Sequence, residues 1–305
     1  RPHAATVVGT YPLTYDNNGN MITLTDPSGF HGYNATYNVD NRLSSIVTTY
    51  AGVPTTSTFV YDGEGGRVKK IVGTTTTRYI SKLYECDTTG ANTSCSRFIW
   101  GGDTRIATVA TNGTVHYWHG DHLGSSSVIT DSTGAKVQAL TYYLYGDIRT
   151  NVPGTPVNVP YKYTGKELDT SSNLYFYESR YYHPIFGRFI SPDTIVPNTR
   201  DPQDLNRYTY AGNNPLRYTD PTGHIKIGKF LRRALGDVGT TVLGTVLQFV
   251  GPFGWTTNFL VGGAVLTQSE SGRYVLAGEI IVGTAIAGTA CTVMSAGACG
   301  PAAGA

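Results

Sequence analysis

Short runs in which polar and apolar residues alternate, each ended by turn-forming residues, fill the chain from its start to about residue 223. Residues 42–48 and 74–80 are two such runs, and this alternation is typical of hairpin strands with one face in water. Two further runs flank Asn112-Gly113, a dipeptide that strongly indicates a tight hairpin turn. Another hairpin is predicted over residues 126–143, with its turn at 131–134. This part of the chain is therefore predicted to be all-β.

A short unit that begins with Tyr-Asp or Tyr-Asn recurs at residues 15–21, 37–43 and 61–68, with starts 22 and 24 residues apart. The tyrosine is expected to end a strand, with its ring on the sheet and its hydroxyl bonded to a polar partner. The Asp or Asn is expected to accept hydrogen bonds from backbone amides of the turn. Glycine supplies the positive φ that reverses the chain. The spacing matches two strands with their turns, so the unit marks one hairpin.

Composition supports an ordered β-protein and argues against nucleic acid as a partner of the β part. Charged residues make up 14% of the 305 residues, against roughly 25% in a typical soluble domain. The chain contains 37 glycines and 22 tyrosines, and its net charge is +2. Abundant aromatics and low net charge exclude a disordered chain. No dense basic stripe runs through the β part, as phosphate binding would need.

The cysteines form two close pairs, Cys86 with Cys95 and Cys291 with Cys299. Neither pair has histidines at metal-ligand spacing, so zinc is not predicted. In a secreted protein each pair would close a small loop as a disulfide, and the alternative is buried free thiols. The chain opens without a signal peptide, which we interpret as the start of a fragment or of a processed product.

Histidines provide no predicted metal site. His116, His119 and His122 follow one another at spacings of three, which would align them on a helix. The surrounding pattern predicts a strand and a turn instead, so the three side chains are not expected to share a face. No cofactor is predicted. A tyrosine-rich tract over residues 142–182 is expected to pack the core, the alternative being a sugar-binding surface.

Composition changes at about Gly223. Four basic residues lie between positions 226 and 233, and residues 238–269 and 280–305 carry no charge. These lengths permit membrane helices, but Gly251-Pro252 interrupts the first stretch and further glycines dilute both. A buried strand or plug inside a shell and a membrane segment both stay open for this region.

An ordered series of blocks resembles the Rhs/YD-repeat family, including its C-terminal core module, over roughly residues 1–224. The blocks are Tyr61-Asp62-Gly63-Glu64-Gly65, Asp121-His122-Leu123-Gly124-Ser125, Tyr163-Thr164-Gly165-Lys166-Glu167, Ser179-Arg180-Tyr181-Tyr182, Gly187-Arg188-Phe189-Ile190-Ser191-Pro192-Asp193, Leu205-Asn206-Arg207-Tyr208-Thr209-Tyr210, Asn213-Asn214-Pro215 and Asp220-Pro221-Thr222-Gly223.

The resemblance implies a spiralling shell of YD-repeat β-hairpins, a cocoon, that ends in a core plug. Residues 1–80 would be YD-repeat hairpins, 81–224 the core module or plug, and 225–305 a variable apolar C-terminal segment. In the family that last segment is often a toxin. No nuclease, deaminase or ADP-ribosyltransferase motif is present in residues 225–305 here, and few carboxylates are available there.

Some members of the family cleave themselves just after the Asp-Pro-x-Gly motif by aspartyl chemistry. By that resemblance Asp193 is the first catalytic aspartate, Asp204 or Asp201 is the second, and cleavage lies near His224. Two departures from the family pattern weaken the assignment: His224 stands where leucine is usual, and Pro192 stands where arginine often precedes the first aspartate. In the alternative interpretation, Asp193, Asp204 and Asp220 cap turns.

The function expected from this resemblance is the C-terminal part of a shell, secreted or at the cell surface, that encapsulates or presents its own C-terminal segment as cargo. An upstream YD-repeat shell would be its other partner. One alternative is an extracellular structural or adhesive assembly, with neighbouring subunits or a membrane contacting the apolar tail. Another is a self-cleaving protein that releases its C-terminus. A toxin requires a catalytic or pore-forming segment after residue 224, whereas a structural role requires an ordered, integral tail.

Overall fold

The computed structural model describes residues 2–29, 31–153, 159–196, 202–224 and 227–228, and three short strands between 259 and 278. The chain divides into two compact units, Arg1–Leu231 and Arg232–Ala305.

The first unit is dominated by a 15-stranded antiparallel sheet in which every strand pairs with the next strand in sequence. The strands are β1 (Val7–Val8), β2 (Tyr11–Tyr15), β3 (Met21–Thr25), β4 (His31–Tyr37), β5 (Leu43–Tyr50), β6 (Val53–Tyr61), β7 (Arg67–Val72), β8 (Thr75–Ser81), β9 (Tyr84–Thr89), β10 (Asn92–Gly101), β11 (Thr104–Ala110), β12 (Val115–Gly120), β13 (Ser126–Thr130), β14 (Lys136–Tyr142) and β15 (Ile148–Pro153). The prediction of an all-β shell of consecutive hairpins is confirmed. We call this sheet the wall.

A smaller group of elements follows the wall and packs against it. Its four-stranded antiparallel sheet contains β16 (Glu167–Asp169), β17 (Leu174–Tyr177), β18 (Arg180–His183) and β19 (Arg188–Phe189). Around it lie 3-10 turns at Tyr163–Gly165 and Ala211–Asn213, the short helix α1 (Pro202–Leu205), and the paired strands β20 (Tyr218–Thr219) and β21 (Ile227–Gly228). We call residues 159–224 the plug; β21 follows it in sequence and pairs with β20.

The recurring turn has one geometry, which Asp62 illustrates. Its Oδ1 accepts hydrogen bonds from the backbone amides of Glu64 (3.0 Å) and Gly66 (2.7 Å). Gly65 adopts φ +90°, in the left-handed region that glycine occupies without strain. The same pair of acceptor bonds, to the amides two and four residues on, recurs at Asp16, Asn38, Asp121 and Asp131. The acidic or amide side chain therefore has the role that the sequence predicts.

The repeat tyrosines tie each hairpin to the one before it. The hydroxyl of Tyr37 donates to the carbonyl of Met21 at 3.0 Å, and that of Tyr61 donates to the carbonyl of Leu43 at 2.7 Å. Burial raises the pKa of Tyr61 to about 12, so its hydroxyl keeps its proton. The repeat thus supplies a turn through its Asp or Asn and a cross-hairpin bond through its Tyr.

Wall and plug share one apolar core. Met21 and Ile46 of the wall are fully buried in the same cluster as Leu174 and Ile190 of the plug. Backbone pairing joins the two parts as well, since the Met21 amide donates to the Ile190 carbonyl at 2.8 Å. Burying such side chains contributes about 1.5–3 kcal/mol each, so the plug is held firmly against the wall.

Cys86 and Cys95 lie directly opposite each other on β9 and β10 and form a disulfide, with Cα atoms 4.0 Å apart. The predicted pair Cys291 and Cys299 lies outside the described residues.

The described part of the second unit is a three-stranded antiparallel sheet of β22 (Phe259–Val261), β23 (Ala264–Gln268) and β24 (Tyr274–Gly278). Among the residues that the structure describes, no helix has the length and apolarity to cross a membrane. For residues 225–305, the alternatives of a buried strand or plug inside the shell, a membrane segment and a toxin all stay predictions.

Candidate functional site

The candidate site lies where the chain leaves the plug. A cavity of about 40 Å³ opens between β18, the segment after β19, α1 and the turn after β20. Its polar lining includes Arg180, Asp193, Asp204, Arg207, Asp220 and His224. The cavity exceeds the ~15 Å³ that one water molecule needs. Both predicted aspartates of the cleavage hypothesis, Asp193 and Asp204, therefore reach one cavity, whereas Asp201 lies outside the described residues.

Arg180 organises this cavity from β18. Its guanidinium Nη2 lies 2.8 Å from the carboxylate of Asp193 and 3.5 Å from that of Asp220. The flat group stacks over the ring of Phe189, 3.7 Å from its centroid, and Nη1 donates to the carbonyl of Arg207 at 2.9 Å. Burial lowers the pKa of Arg180 and the two carboxylates oppose that effect, so the arginine stays charged.

Asp193 follows β19 and is almost fully buried, at 7% exposure. Its Oδ2 faces Arg180, while its Oδ1 accepts the amide of Ile195 at 2.9 Å and lies 2.7 Å from Nδ1 of His224. Both oxygens are therefore engaged. Asp193 does cap a turn, as the alternative interpretation predicts. It also contacts His224, at which the described plug ends.

The exit turn shares part of the geometry of the repeat turn. Asp220 accepts the backbone amide of His224 at 3.0 Å, and the Gly223 carbonyl accepts a hydrogen bond from Arg180 Nε. At the exposed repeat turn of Asp62 the carbonyl of Gly65 likewise accepts from the guanidinium of Arg42, at 2.8 Å. The Asp-Pro-x-Gly motif thus shares with the wall's turn the carboxylate bond to the amide four residues on and a glycine of positive φ.

Close packing fixes this exit turn. Ser179 Oγ donates to the Thr222 carbonyl at 2.7 Å. Gly223 has φ +77°, and a Cβ there would lie 2.5 Å from both Ser179 Oγ and the Tyr177 carbonyl oxygen. Any other residue at position 223 would clash with the backbone of the plug.

The carboxylate that shares a cation with Asp193 is Asp220, which the sequence indicates only as a turn cap. Arg180 was also not predicted as a site residue, although it belongs to one of the family blocks. The sequence signal that points to Arg180 is its place as a single arginine among tyrosines. Such an arginine is buried with the sheet and therefore requires buried carboxylate partners.

A second buried ionic group joins wall and plug. Arg67 and Lys70 of β7 both pair with Glu167 and Asp169 of β16. Nη1 of Arg67 lies 2.7 Å from Oδ2 of Asp169, and Nζ of Lys70 lies 2.8 Å from Oδ1 of the same carboxylate. Burial alone would raise the pKa of Glu167, but the two cations outweigh it and lower that pKa. These pairs connect the wall to the plug, and loss of one partner would leave an uncompensated buried charge.

Glu85 of β9 extends this group. The hydroxyl of Tyr161 donates to it at 2.8 Å, and the guanidinium of Arg105 stacks 3.6 Å from the centre of the Tyr161 ring. Burial, with a smaller effect from the charge of Glu167, raises the pKa of Glu85 to about 7.

Other residues singled out in the sequence do not join a site. His119 Nε2 lies 3.1 Å from the hydroxyl of Thr130, and within the described residues no group of three His, Cys, Asp or Glu side chains is placed to hold a metal ion. Part of the tyrosine tract packs the plug, as predicted, since Tyr163, Tyr175, Tyr177 and Tyr182 are at most 2% exposed, whereas Tyr143 of the same tract is 58% exposed.

Residues 75–216 match the family model described as Teneurin YD-shell. The chain is 30% identical over 226 residues to the tRNA(Glu)-specific nuclease WapA of Bacillus subtilis subsp. natto, covering 72% of this chain and 9% of that protein. It is 39% identical over 110 residues to toxin subunit YenC2 of Yersinia entomophaga, covering 35% of this chain and 11% of the subunit. The chain thus spans about a tenth of the length of these relatives.

Solved structures show the same fold. The Tc holotoxin pore of Photorhabdus luminescens superposes with a TM-score of 0.55 at 20% identity, over 72% of this chain and 14% of that one. A wall of consecutive hairpins, the repeated Tyr-Asp turn, the plug and the match to the YD-shell model agree with one another. The chain belongs to the Rhs/YD-repeat family of β-shell proteins.

Proposed function

We propose that residues 1–224 close a YD-repeat shell that encloses or presents the segment after Gly223 as its cargo. The observation that carries this proposal is the anchored exit turn. Asp220, Gly223 and His224 are each bound by buried groups of the plug, so the point at which the next segment starts is fixed. A fixed junction suits a shell that holds the next segment as cargo, whereas a freely moving linker would be expected if the segment were independent of the shell.

Two further observations support this proposal. The relatives named above are a tRNA nuclease and a toxin subunit, which fits a toxin-like segment as the cargo. The disulfide between Cys86 and Cys95 fits a secreted or surface location, because disulfides persist in oxidising compartments.

Limited digestion of the full chain with proteinase K tests the enclosure. The rate of cuts after residue 224, located by mass, is compared between the native protein and a His224→Ala variant, which loses the contact with Asp193. We expect these cuts to become roughly tenfold faster in the variant, because the fraction of molecules in which the exit turn is open rises as the local stability of that turn falls. Arg149→Met, at an exposed wall position, is the matched control and should leave the rate unchanged.

Equal rates in all three proteins would contradict the enclosure of the segment. If protection after residue 224 instead depends on protein concentration, with larger species in light scattering, the adhesive or structural assembly is the better explanation.

Intramolecular aspartyl cleavage near His224 is a second candidate function, favoured by the shared cavity of Asp193 and Asp204. In this reaction one carboxylate takes a proton from water while the water oxygen bonds to the peptide carbonyl carbon. The other carboxyl, protonated, gives its proton to the amide nitrogen as the C–N bond breaks. The products are a new carboxyl end on the shell and a new amino end on the released segment.

Intact mass under denaturing conditions tests this second candidate. We expect the native chain to give two pieces split near His224, and the Asp193→Asn and Asp204→Asn variants to stay whole. Asp131→Asn, which changes an exposed repeat turn, is the control and should still split. A native chain that stays whole would exclude self-cleavage but would leave the enclosure proposal standing.

A further inference from the structure

The disulfide of the wall lies on its outer face, the face directed away from the plug. Alternate residues of a strand point to opposite faces of the sheet. On β9, Glu85 lies on the inner face, where the hydroxyl of Tyr161 in the plug donates to it. Cys86 is the next residue and therefore lies on the outer face, bonded to Cys95 directly opposite on β10. This position is separate from the cavity at the chain exit.

The register of the sheet places basic residues around this disulfide. Arg78 of β8 lies directly opposite Cys86, and Lys69 of β7 lies directly opposite Arg78. Arg97 comes two residues after Cys95 on β10 and so shares its face. Residues that oppose each other on neighbouring strands have Cβ atoms about 5 Å apart. Three positive side chains therefore share one face of the wall with the disulfide.

These cations are not neutralised within the described residues. No ion pair of that part of the chain involves Lys69, Arg78 or Arg97. The guanidinium of Arg78 instead donates to the hydroxyl of Thr88 at 3.2 Å. Because Thr88 comes two residues after Cys86 and shares its face, the arginine extends along β9 beside the disulfide.

The two carboxylates of β9 lie on the other face of the sheet. Glu85 accepts from the plug, as described above. The carboxylate of Asp87 accepts the hydroxyl of Thr77 at 2.5 Å, and Thr77 is buried with the inner face. The outer face around the disulfide therefore has a local excess of positive charge, which attracts small anions.

The two sulfurs of the disulfide differ in their access to solvent. Cys86 is 9% exposed, whereas Cys95 is half-buried and Arg78 and Arg97 are exposed. An incoming thiolate attacks the sulfur that it can reach, and the other sulfur leaves as a thiolate. The attacked sulfur is therefore that of Cys95, and the leaving sulfur is that of Cys86. A cation stabilises a nearby thiolate, so Arg78 favours this departure.

From this arrangement we infer that the disulfide is a site of thiol–disulfide exchange with small anionic thiols such as glutathione. The thiolate of the small molecule bonds to Sγ of Cys95, the S–S bond breaks, and its electron pair goes to Sγ of Cys86. The product is a mixed disulfide on Cys95 and a thiolate at Cys86. A second thiolate attacks the sulfur of the small molecule and releases Cys95 as a thiolate, so two thiols are oxidised and one protein disulfide is reduced. This inference does not depend on the proposed shell function.

The test compares an anionic and a neutral thiol on the full chain. Glutathione and 2-mercaptoethanol react with the protein and, as a neutral reference, with bis(2-hydroxyethyl) disulfide; intact mass after acid quenching follows the mixed disulfide and the reduced chain. At low salt we expect the rate ratio of glutathione to 2-mercaptoethanol to be roughly fivefold higher on the protein than on the reference. This advantage should disappear at about 1 M salt, where screening acts beyond about 3 Å.

Variants of one exposed arginine separate its charge from its packing. Arg78→Met should slow the reaction with glutathione roughly fivefold, whereas Arg78→Lys keeps the charge and should retain most of the rate. Arg149→Met, at an exposed position on β15, is the matched control and should react like the native protein. The inference is overturned if glutathione has no advantage over the reference ratio, if Arg78→Met and Arg149→Met have equal effects, or if the disulfide is reduced only once the chain is unfolded.

Discussion

Glu85 provides a direct test of how wall and plug are held together. The residue is 8% exposed, and burial, with a smaller effect from Glu167, raises the pKa of its carboxyl from 4.5 to about 7. The folded protein therefore keeps a proton between these two values that the unfolded chain has lost. Stability must fall as pH rises through this window, because the folded state binds more protons there. At 1.36 kcal/mol for each pH unit, the loss amounts to about 3 kcal/mol.

Glu85→Gln removes the titrating group but keeps an oxygen that accepts the Tyr161 hydroxyl. We expect the variant to match the native protein at about pH 4.5 and to exceed its free energy of unfolding by up to about 3 kcal/mol at about pH 8. Urea unfolding of both proteins across this range, followed by tryptophan fluorescence, measures the difference. Glu64→Gln, in an exposed repeat turn, is the control and should keep the native pH dependence.

The reasoning would be refuted by a Glu85→Gln variant whose stability declines with pH as steeply as that of the native protein. A variant less stable than the native protein at about pH 8 would also refute it, because an ionised Glu85 would then stabilise the fold.

Three further predictions concern the stability of the wall and the plug. Arg67→Met should lower the free energy of unfolding by about 3–5 kcal/mol, because the buried carboxylates of Glu167 and Asp169 lose one of their two cations. Chemical denaturation measures this change, and a loss below about 1 kcal/mol would contradict the prediction. Gly223→Ala should unfold the exit turn, whereas Gly113→Ala, with φ +83° but open space around it, should cost only about 1 kcal/mol of backbone strain; equal losses in thermal melts would show that the clash is unimportant. Reduction of the Cys86 disulfide should cost about 2–3 kcal/mol, and an unchanged Tm with reductant would argue against it.

Local features of the wall were predictable because their causes lie close together in sequence. Asp62 and the two amides that it binds are within four residues of each other, so the residue types alone indicate the turn. The strand pairs are likewise neighbours in sequence. Alternation and turn residues were therefore sufficient to predict consecutive hairpins.

Contacts between wall and plug were not predictable in the same way. Arg67 and Glu167 are 100 residues apart, and no local pattern indicates that these two charges meet in the interior. Asp220 illustrates the same limit. The fold brings Asp220 to the same arginine as Asp193, which a position in a motif cannot indicate because it does not report distances in space, and the pairing of Asp193 with Asp204 stays a prediction.

The order of the wall has a consequence for how the protein folds during synthesis. Because every wall strand pairs with its neighbour in sequence, each hairpin needs only the chain already made, and local contacts favour rapid folding. The plug differs: the backbone bond from Met21 to Ile190 spans 169 residues. Closure must therefore wait until residues 159–224 have left the ribosome, and until then the inner face of the wall stays exposed. Translation arrest before that point would yield an ordered but open wall, prone to aggregate through its uncovered core.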